Sequence, residues 1–478
     1  MKINTLFRSK EEINLTSGSL AKPLFYLALP VVITNLLMTA YNLVDFFWVG
    51  RLSKQALAAI TFSYPMVFLF ISLGIGVSVA GSVLVAQYEG AKQRDRAEYA
   101  ASQTLVFTSV VGIALGLGGF FLLLPVLKLL GASPEVIPLA KDYMQVVTLG
   151  LVFMFGYTVF IALMRGYGET LTPMLIMLLT VLLNVLLDPL LIFGWLWFPK
   201  MGIQGAAIAT ISCRGLGFLI GLCILFTGWK GLTVRLSYML PDFSFFKKLV
   251  NIGVPASVES TGRALSVNAM LSVVGGGFST SVVAGYGVGI RVFSTVFLPA
   301  LAVSQSVETV TGQNIGAGKF DRAERANYLA SKAMFVGMSL LGVVTFLFAP
   351  IIVSIFSGDA EVVNVGSEFL RYIALTFGFV GAQRVFSGGF RGAGKTLVAA
   401  AIAILTLGVL RYPMAIVLSD NMGRIGLWNA FIISNVLGLF IAYFWFRRGT
   451  WKQRLIQEDY TKGKIAKELC EIEETISE

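Results

Sequence analysis

The sequence predicts an all-α membrane protein, with twelve transmembrane helices arranged as two pseudo-symmetric six-helix lobes around a central cleft. Three observations predict this fold: the composition, the recurrence of helix-length apolar stretches and an internal repeat. Of 478 residues, 56% are hydrophobic and only 13% are charged. A soluble globule of this length carries far more charge, so the chain is expected to reside in a membrane.

Apolar stretches long enough to cross about 30 Å of hydrocarbon as helices recur along the whole chain. Gly, Pro and charged loops separate most of them. Residues 1–19 are polar and lead directly into the first stretch without a signal-peptide pattern, so this helix is expected to remain. The predicted spans cover residues 20–49, 56–86, 100–127, 137–163, 171–194, 203–227, 248–274, 281–312, 325–355, 362–388, 396–418 and 425–447.

An internal repeat divides the chain into two halves. "QYEGAKQRDRAE" at 87–98 matches "QNIGAGKFDRAE" at 313–324, and "RGYGET" at 165–170 matches "RGAGKT" at 391–396, both at an offset of 226 residues. Six spans per half give both halves the same orientation, which suits alternating access by rocking one lobe on the other. We expect an N-terminal lobe at 1–227, a cytoplasmic linker at 228–247, a C-terminal lobe at 248–447 and a cytoplasmic tail at 448–478.

The net charge of +11 follows from where Lys and Arg lie. With a cytoplasmic N-terminus, most of them fall in the predicted inside segments, including Arg165 and residues 92–96, 319–325 and 391–395. The positive-inside rule therefore predicts a multi-pass protein of the cell (cytoplasmic or inner) membrane with both termini in the cytoplasm. Lipid is the expected surrounding, and the charge requires no nucleic-acid partner.

Two acidic residues lie deep in predicted spans of the first half, Asp45 and Asp188. An ionised Asp near the bilayer centre costs roughly 2.5 to 3.5 kcal/mol on insertion scales, so such a residue is expected to face a cavity or a partner. Asn184 lies one helical turn before Asp188. The second-half equivalents are near Leu271 and Tyr412, so neither carboxyl group has a symmetry mate. This asymmetry favours a functional site in the N-terminal lobe. The polar face of span one is predicted to carry Thr34, Met38, Tyr41, Asn42 and Asp45.

Other charges inside the spans have competing structural explanations. Glu259 and Arg263 are spaced i, i+4, so they either neutralise each other or contribute to a site. Glu308 lies near the cytoplasmic end of span eight and is expected to reach water. The remaining intramembrane cations are expected to pair with backbone carbonyls or to line the cleft: Arg214, Arg291 and Arg384.

Several classes of chemistry are excluded or disfavoured. The chain has no histidine, and Cys213, Cys223 and Cys470 have neither a disulfide framework nor a metal-ligand spacing. No catalytic residues, metal ligands or cofactors are therefore predicted. "GFRGAGKT" at 389–396 satisfies the pattern of a phosphate-binding loop, but such a loop follows a strand, whereas this segment lies between two apolar helices. It is interpreted as a Gly-rich cytoplasmic turn.

The motifs resemble those of a known family. "YNLVDFFWVGRLSKQALAA" at the end of span one, "LNVLLDPLLI" in span five, "GIQGAAIAT" opening span six and the paired Gly-Ala loops look like the multidrug and toxic compound extrusion (MATE) transporters, closest to the DinF-like branch. The resemblance covers nearly the whole chain to about residue 447. It implies cation-coupled antiport that exports organic, often cationic and lipophilic compounds, by a protein we expect to be monomeric.

The resemblance also implies a site. The cluster that handles the coupling ion in this branch corresponds to Tyr41, Asp45, Asn184, Asp188 and Thr210, and Pro30 matches a proline at which span one has been proposed to bend. The other branch carries acids in spans seven and ten. Here the acid in span ten, Glu368, lies near the start of the span and not deep within it, which argues against a second-lobe sodium site; Asn42, Glu259 and Arg263 are possible additional residues.

Two neighbouring carboxyl groups in a low-dielectric cavity cannot both ionise cheaply, so one could hold a proton near neutral pH. Protonation would then weaken binding of a cationic substrate. Protons are favoured as the coupling ion, while Na⁺ at Asp45, Asn184 and Asp188 stays open because these oxygens also suit a hard cation. A lipid-linked oligosaccharide flippase or a metabolite exporter is the alternative. The flippase usually has a more basic cleft, and the buried acids argue against one here.

Overall fold

The computed structural model describes residues 14–129 and 131–456, so most of the predicted tail, with Cys470, lies outside the described residues. A 3-10 turn at Leu236–Tyr238 follows the seventh helix, and a π-helical segment, Leu405–Arg411, joins the last two helices. The helices are α1 (Ala21–Gly50), α2 (Lys54–Gly90), α3 (Arg94–Leu129), α4 (Val136–Leu149), α5 (Leu151–Tyr167), α6 (Leu171–Phe193), α7 (Gly202–Thr227), α8 (Phe243–Gly277), α9 (Thr280–Val296), α10 (Leu298–Gly316), α11 (Phe320–Ser354), α12 (Ala360–Ala374), α13 (Phe377–Gly392), α14 (Thr396–Ile404) and α15 (Tyr412–Arg447).

The twelve predicted spans are recovered, although several are not single helices. Among the described residues, seven helical stretches are long and apolar enough to cross a membrane, and two more spans are helix pairs, bent by 52° between α4 and α5 and by 40° between α9 and α10. The stretch Thr396–Arg447 supplies two spans, because its backbone at Gly423 (φ 59°, ψ −144°) adopts a conformation open to glycine. The more polar α8 and the pair α12–α13 complete the set.

Short polar side chains mark the start of several helices. The Ser53 hydroxyl accepts a hydrogen bond from the Ala56 N–H at the start of α2, at 3.0 Å. Asp242 and Asp359 do the same for the first turns of α8 and α12. Each cap satisfies backbone N–H groups that have no partner within the helix. The helix ends are therefore defined locally, before the lobes pack.

The lobes meet along helix pairs that follow the repeat. Within the N-terminal lobe α2 packs on α5 and α1 on α6, and within the C-terminal lobe α10 packs on α13. Between the lobes α2 packs on both α8 and α10, and α1 packs on α10. The pair α1–α10 is the repeat equivalent of the pair α8–α2. Helix α1 consequently contacts both lobes, so a movement of α1 in one lobe changes its packing against the other.

One side of the lobe interface is closed by backbone contact between the repeated motifs. A Cβ atom on Gly90 would lie 1.9 Å from the Gln313 carbonyl oxygen, and one on Gly316 would lie 1.9 Å from the Gln87 carbonyl oxygen. Only glycine permits so close an approach of the chains. We call this the motif side. The symmetric contact leaves no passage between α2 and α10 at this level.

Both ends of the described chain lie on the motif side. The Asn314 side-chain amide donates to the Leu15 carbonyl at 3.1 Å, and the Leu455 N–H donates to the Gln87 side-chain carbonyl at 3.0 Å. Ile456 is buried in the core of the N-terminal lobe. The segment after α15 therefore crosses from the C-terminal lobe, where Trp451 stacks on Phe446, to the N-terminal lobe.

Candidate functional site

Helices α1, α6 and α7 bring together the five residues of the cluster predicted in the N-terminal lobe. The Thr210 hydroxyl donates to Asp45 Oδ2 at 3.2 Å, and the Asn184 amide donates to Asp188 Oδ1 at 3.0 Å. The Tyr41 hydroxyl donates to the Thr210 carbonyl at 3.2 Å. The Asp45 and Asp188 carboxyl groups are neighbours in this cluster. We call these five residues the carboxyl cluster.

The carboxyl cluster has more acceptors than donors. Asn184 and Asp188 are fully buried, and three buried oxygens find no donor among the described residues: Asp45 Oδ1, Asn184 Oδ1 and Asp188 Oδ2. A buried carboxylate without a donor is costly, so such an arrangement favours an added cation. One proton shared by the two carboxyl groups would satisfy an oxygen of each. The same oxygens also suit a small hard cation.

Asn42 does not join the cluster, contrary to the prediction that it shares the polar face of α1. It is exposed, whereas Tyr41 is buried. At about 100° per residue, Asn42 is about 40° from Met38 and about 80° from Thr34, so it lies at the edge of the predicted face. Pro30 lies within α1, which is one continuous helix in this structure.

A cavity of about 520 Å³ lies between the lobes. Its apolar wall combines Val, Ile and Leu side chains with Met and Phe, among them Met38, Phe68, Met154 and Phe155. Tyr41 of the carboxyl cluster lines it, but Asp45 and Asp188 do not. The charged side chains that line it are five arginines and two glutamates: Arg165, Arg214, Arg263, Arg384, Arg391, Glu259 and Glu308.

Glu259 is surrounded by cations on the C-terminal side of the cavity. Its carboxylate lies 3.0 Å from Arg263, 3.1 Å from Arg391 and 3.4 Å from Arg384. The predicted i, i+4 pair with Arg263 therefore forms, but as one part of a larger network. Glu308, predicted to reach water, is buried and pairs with Arg391 at 2.9 Å. We call these five residues the ion-pair network.

Two arginines were assigned from the sequence to cytoplasmic segments, and the structure corrects this. Arg165 and Arg391 are only 8% and 6% exposed, and both line the cavity. They are repeat equivalents, each near the end of the helix (α5 or α13) that precedes a Gly-rich turn. Because both arginines directly follow an apolar run, hydropathy does not show that their side chains point into the cavity. The shared offset of 226 residues was the available signal. Of the other predicted intramembrane cations, Arg291 is exposed.

The segment with the phosphate-loop pattern is not a phosphate-binding loop. Gly389 to Gly392 belong to the end of α13, and Thr396 begins α14, so no strand precedes the turn. The Lys395 ammonium donates to the Gln453 side chain at 3.2 Å on the exposed surface. This confirms the interpretation as a turn between two helices.

The fold and the buried charges define a two-lobe membrane transporter. The MatE family model matches residues 30–190 and 255–417, one match in each lobe and together more than half of the chain. The chain therefore belongs to the MatE family, whose members are transporters and not enzymes.

Relatives and solved structures agree with this membership. The chain is 29% identical over 440 residues to the probable multidrug resistance protein YpnP of Bacillus subtilis, covering 91% of this chain and 97% of that protein. It is 29% identical over 443 residues to an FAD transporter of Shewanella oneidensis, covering 91% and 96%. The fold is similar to a MATE crystal structure in the bent conformation (TM-score 0.86, 23% identity, 92% of this chain and 98% of that one).

Proposed function

We propose that this protein is a cation-coupled antiporter that exports organic compounds across the cell membrane by alternating access, with H⁺ as the favoured ion. The observation that carries the proposal is the carboxyl cluster, in which one oxygen of each carboxyl group and the Asn184 amide oxygen are buried without donors. Because the cluster is built from α1, α6 and α7, and α1 also packs on α10, its charge state acts on a helix that contacts both lobes.

The coupling in this proposal is conformational. Asp45 and Asp188 do not line the cavity, so a bound compound does not compete with the proton for the same oxygens. When the pair is doubly ionised, its carboxylates repel and the unpaired oxygens need a cation; one proton relieves both. The expected consequence is a different packing of α1 against α6 and α7. Helix α1 contributes Val31, Thr34 and Met38 to the cavity wall, which changes with it.

The test is efflux of a fluorescent organic dye from proteoliposomes, with a proton gradient and a sodium gradient imposed separately. We expect the proton gradient to drive the wild type and Asp45→Asn and Asp188→Asn to abolish coupled efflux. Asp142→Asn is the matched control, since Asp142 is exposed on α4 and undergoes the same chemical change. Full coupled activity of both cluster variants would contradict the proposal. A response to sodium alone would assign Na⁺ to the same oxygens.

We further propose that the motif side faces the cytoplasm and that the functional unit is a monomer in lipid, with the linker at 228–247 joining the lobes. The clustering of Lys and Arg supports this orientation. Single cysteines introduced at Ser17 and at Trp197, on opposite sides of the predicted topology, should be labelled by an impermeant maleimide only from inside and only from outside, respectively, after Cys213, Cys223 and Cys470 are replaced. The opposite labelling would invert the topology.

A metabolite exporter or a lipid-linked oligosaccharide flippase is the second candidate. The excess of arginine on the cavity wall supports it. The sequence argument against a flippase was that buried acids make the cleft less basic. Instead, Asp45 and Asp188 lie outside the cavity wall, and arginines outnumber glutamates on it. A relative with 29% identity is an FAD transporter. Substrate charge therefore becomes the discriminating question.

A further inference from the structure

We propose that the cavity binds an organic anion, whose carboxylate or phosphate group is held by Arg165, Arg263 and Arg384 and whose apolar body lies against the apolar wall. The inference rests on the proposed function only in taking the cavity as the substrate's path. It departs from the cationic compounds that the sequence resemblance implies.

The first support is the charge of the wall. Five arginines and two glutamates line the cavity. Arginine stays protonated in proteins, so its charge is permanent. Both glutamates are already paired, Glu259 with three arginines and Glu308 with Arg391. The wall therefore carries a surplus of positive charge, and among the described residues Glu308 Oε1 is its one carboxylate oxygen without a donor.

The second support is that the arginines divide into one that is fully engaged and several with free donors. Arg391 contacts Glu259, Glu308 and the Ser304 hydroxyl, at 2.9 to 3.2 Å. It is a structural centre of the ion-pair network. Arg263 donates to Glu259 through one N–H, at 3.0 Å, and Arg384 makes only a 3.4 Å contact with it. A guanidinium has five N–H donors, so both retain donors for a ligand.

Arg165 is the most informative residue. Its guanidinium makes no hydrogen bond or ion pair with any other described residue, its Nε is buried without an acceptor, and the residue is 8% exposed. Its backbone is nevertheless held firmly, because the Thr309 hydroxyl of α10 donates to the Arg165 carbonyl at 3.1 Å. Buried donors are normally paired, so an unpaired guanidinium at a cavity wall indicates a ligand that supplies the acceptor.

The three arginines come from both lobes. Arg165 belongs to α5 of the N-terminal lobe, whereas Arg263 and Arg384 belong to α8 and α13 of the C-terminal lobe. A single oxyanion held by both sets would connect the lobes. Met side chains on the remaining wall adapt to different apolar shapes. The cavity volume of about 520 Å³ suits a small organic molecule.

The test measures binding, by calorimetry on the full chain in detergent, for four naphthalene derivatives that share one ring system. These are 1-naphthoate, 1-naphthyl phosphate, the neutral 1-naphthylmethanol and the cationic 1-naphthylmethylammonium. We expect at least one anion to bind about ten-fold or more tightly than the alcohol and the cation, the range of a charge-assisted hydrogen bond. The carboxylate and phosphate arms separate the two acidic groups. If the cation or the alcohol binds as tightly as both anions, the inference is overturned.

Variants then locate the site. Arg165→Gln and Arg384→Gln should each weaken anion binding about ten-fold while leaving the alcohol unchanged. Arg291→Gln, at an exposed position of α9, is the matched control and should have no effect. Equal anion affinity in all three variants would overturn the assignment to this cavity. The wild-type ligand series remains decisive if a cavity variant does not fold.

This result separates from the coupling proposal, because binding in detergent needs no gradient. Asp45→Asn should lose coupled efflux and still bind the anion. If anions fail to bind while proton-driven efflux of a cationic dye persists, the substrate inference fails and the antiporter proposal stands. If anions bind but no gradient moves any compound, the antiporter proposal fails and the substrate inference stands.

Discussion

The two buried charge clusters of this molecule are opposites. The carboxyl cluster of the N-terminal lobe has too few donors, and three of its oxygens are unpaired. The ion-pair network has a surplus of positive charge, because two glutamates, Glu259 and Glu308, face Arg263, Arg384 and Arg391. A site that lacks a cation can take one up and release it, whereas a network with fixed surplus cations suits a bound anion. The comparison teaches that burial alone does not distinguish the two; the balance of donors and acceptors does.

The largest expected effect is on the ion-pair network. Glu259→Gln removes the negative charge that faces the buried Arg391 and the partly buried Arg263 and Arg384, and breaking a buried charge network by deleting one partner costs about 3 to 5 kcal/mol. We expect a marked drop in the thermal unfolding temperature in detergent. Glu361→Gln, at an exposed position of α12, is the control. An unchanged unfolding temperature would show that the arginines are paired by other means.

The same change of charge in the carboxyl cluster should have little effect on stability. Asp188→Asn removes one of two adjacent carboxyl groups and supplies an N–H donor to its neighbour. We therefore expect a change in the free energy of unfolding within about 1 kcal/mol, of either sign, together with loss of coupled efflux. Thermal unfolding and proteoliposome efflux on one preparation test both halves of this expectation. Strong destabilisation would assign the cluster a structural role.

The same substitution in the two repeated motifs should have the same effect on the lobe interface. Gly90→Ala and Gly316→Ala each place a methyl group against the backbone of the opposite lobe. Overpacking of this kind costs typically 1 to 3 kcal/mol, so both variants should shift the lobes toward opening on the motif side. Spin-label distances between α2 and α10 would measure the shift. A shift in only one variant would contradict the symmetric closure.

The smallest effect is expected at a carboxylate outside the membrane that has the donors Asp45 and Asp188 lack. The Tyr99 hydroxyl donates to Asp242 at 2.7 Å, the Ser244 hydroxyl and N–H also donate to it, and together they lower the pKa of Asp242 to about 2. Asp242→Ala should cost about 1 kcal/mol by removing the cap of α8.

A lowered pKa means that the Asp242 contribution is present above the ordinary pKa of 3.8 and is lost as the pH falls toward 2. Thermal unfolding of the wild type and Asp242→Ala between pH 2 and pH 6 would measure it. The difference between the two proteins should shrink at the acid end. A difference that is constant with pH would remove the charge from the explanation.

The amino-acid sequence by itself determined the twelve spans, the repeat and the pairing of polar residues at helical spacing on α1 and α6. These features depend on hydropathy and on the 3.6-residue period, which are local properties. It also located Asp45 and Asp188 in one lobe, because their repeat equivalents are apolar or aromatic.

The tertiary structure alone decided which charges share the cavity. Hydropathy reports how deep a residue lies in the membrane, but the direction in which a helix presents it depends on packing against other helices. Arg165 and Arg391, at the ends of apolar runs, look like interfacial residues until α5 and α13 are packed against α10. Asn42 shows the reverse, since it follows Tyr41 in sequence but is exposed where Tyr41 is buried. The packing of the two lobes decides where these side chains point and what they pair with. It therefore decides the net charge of the cavity wall.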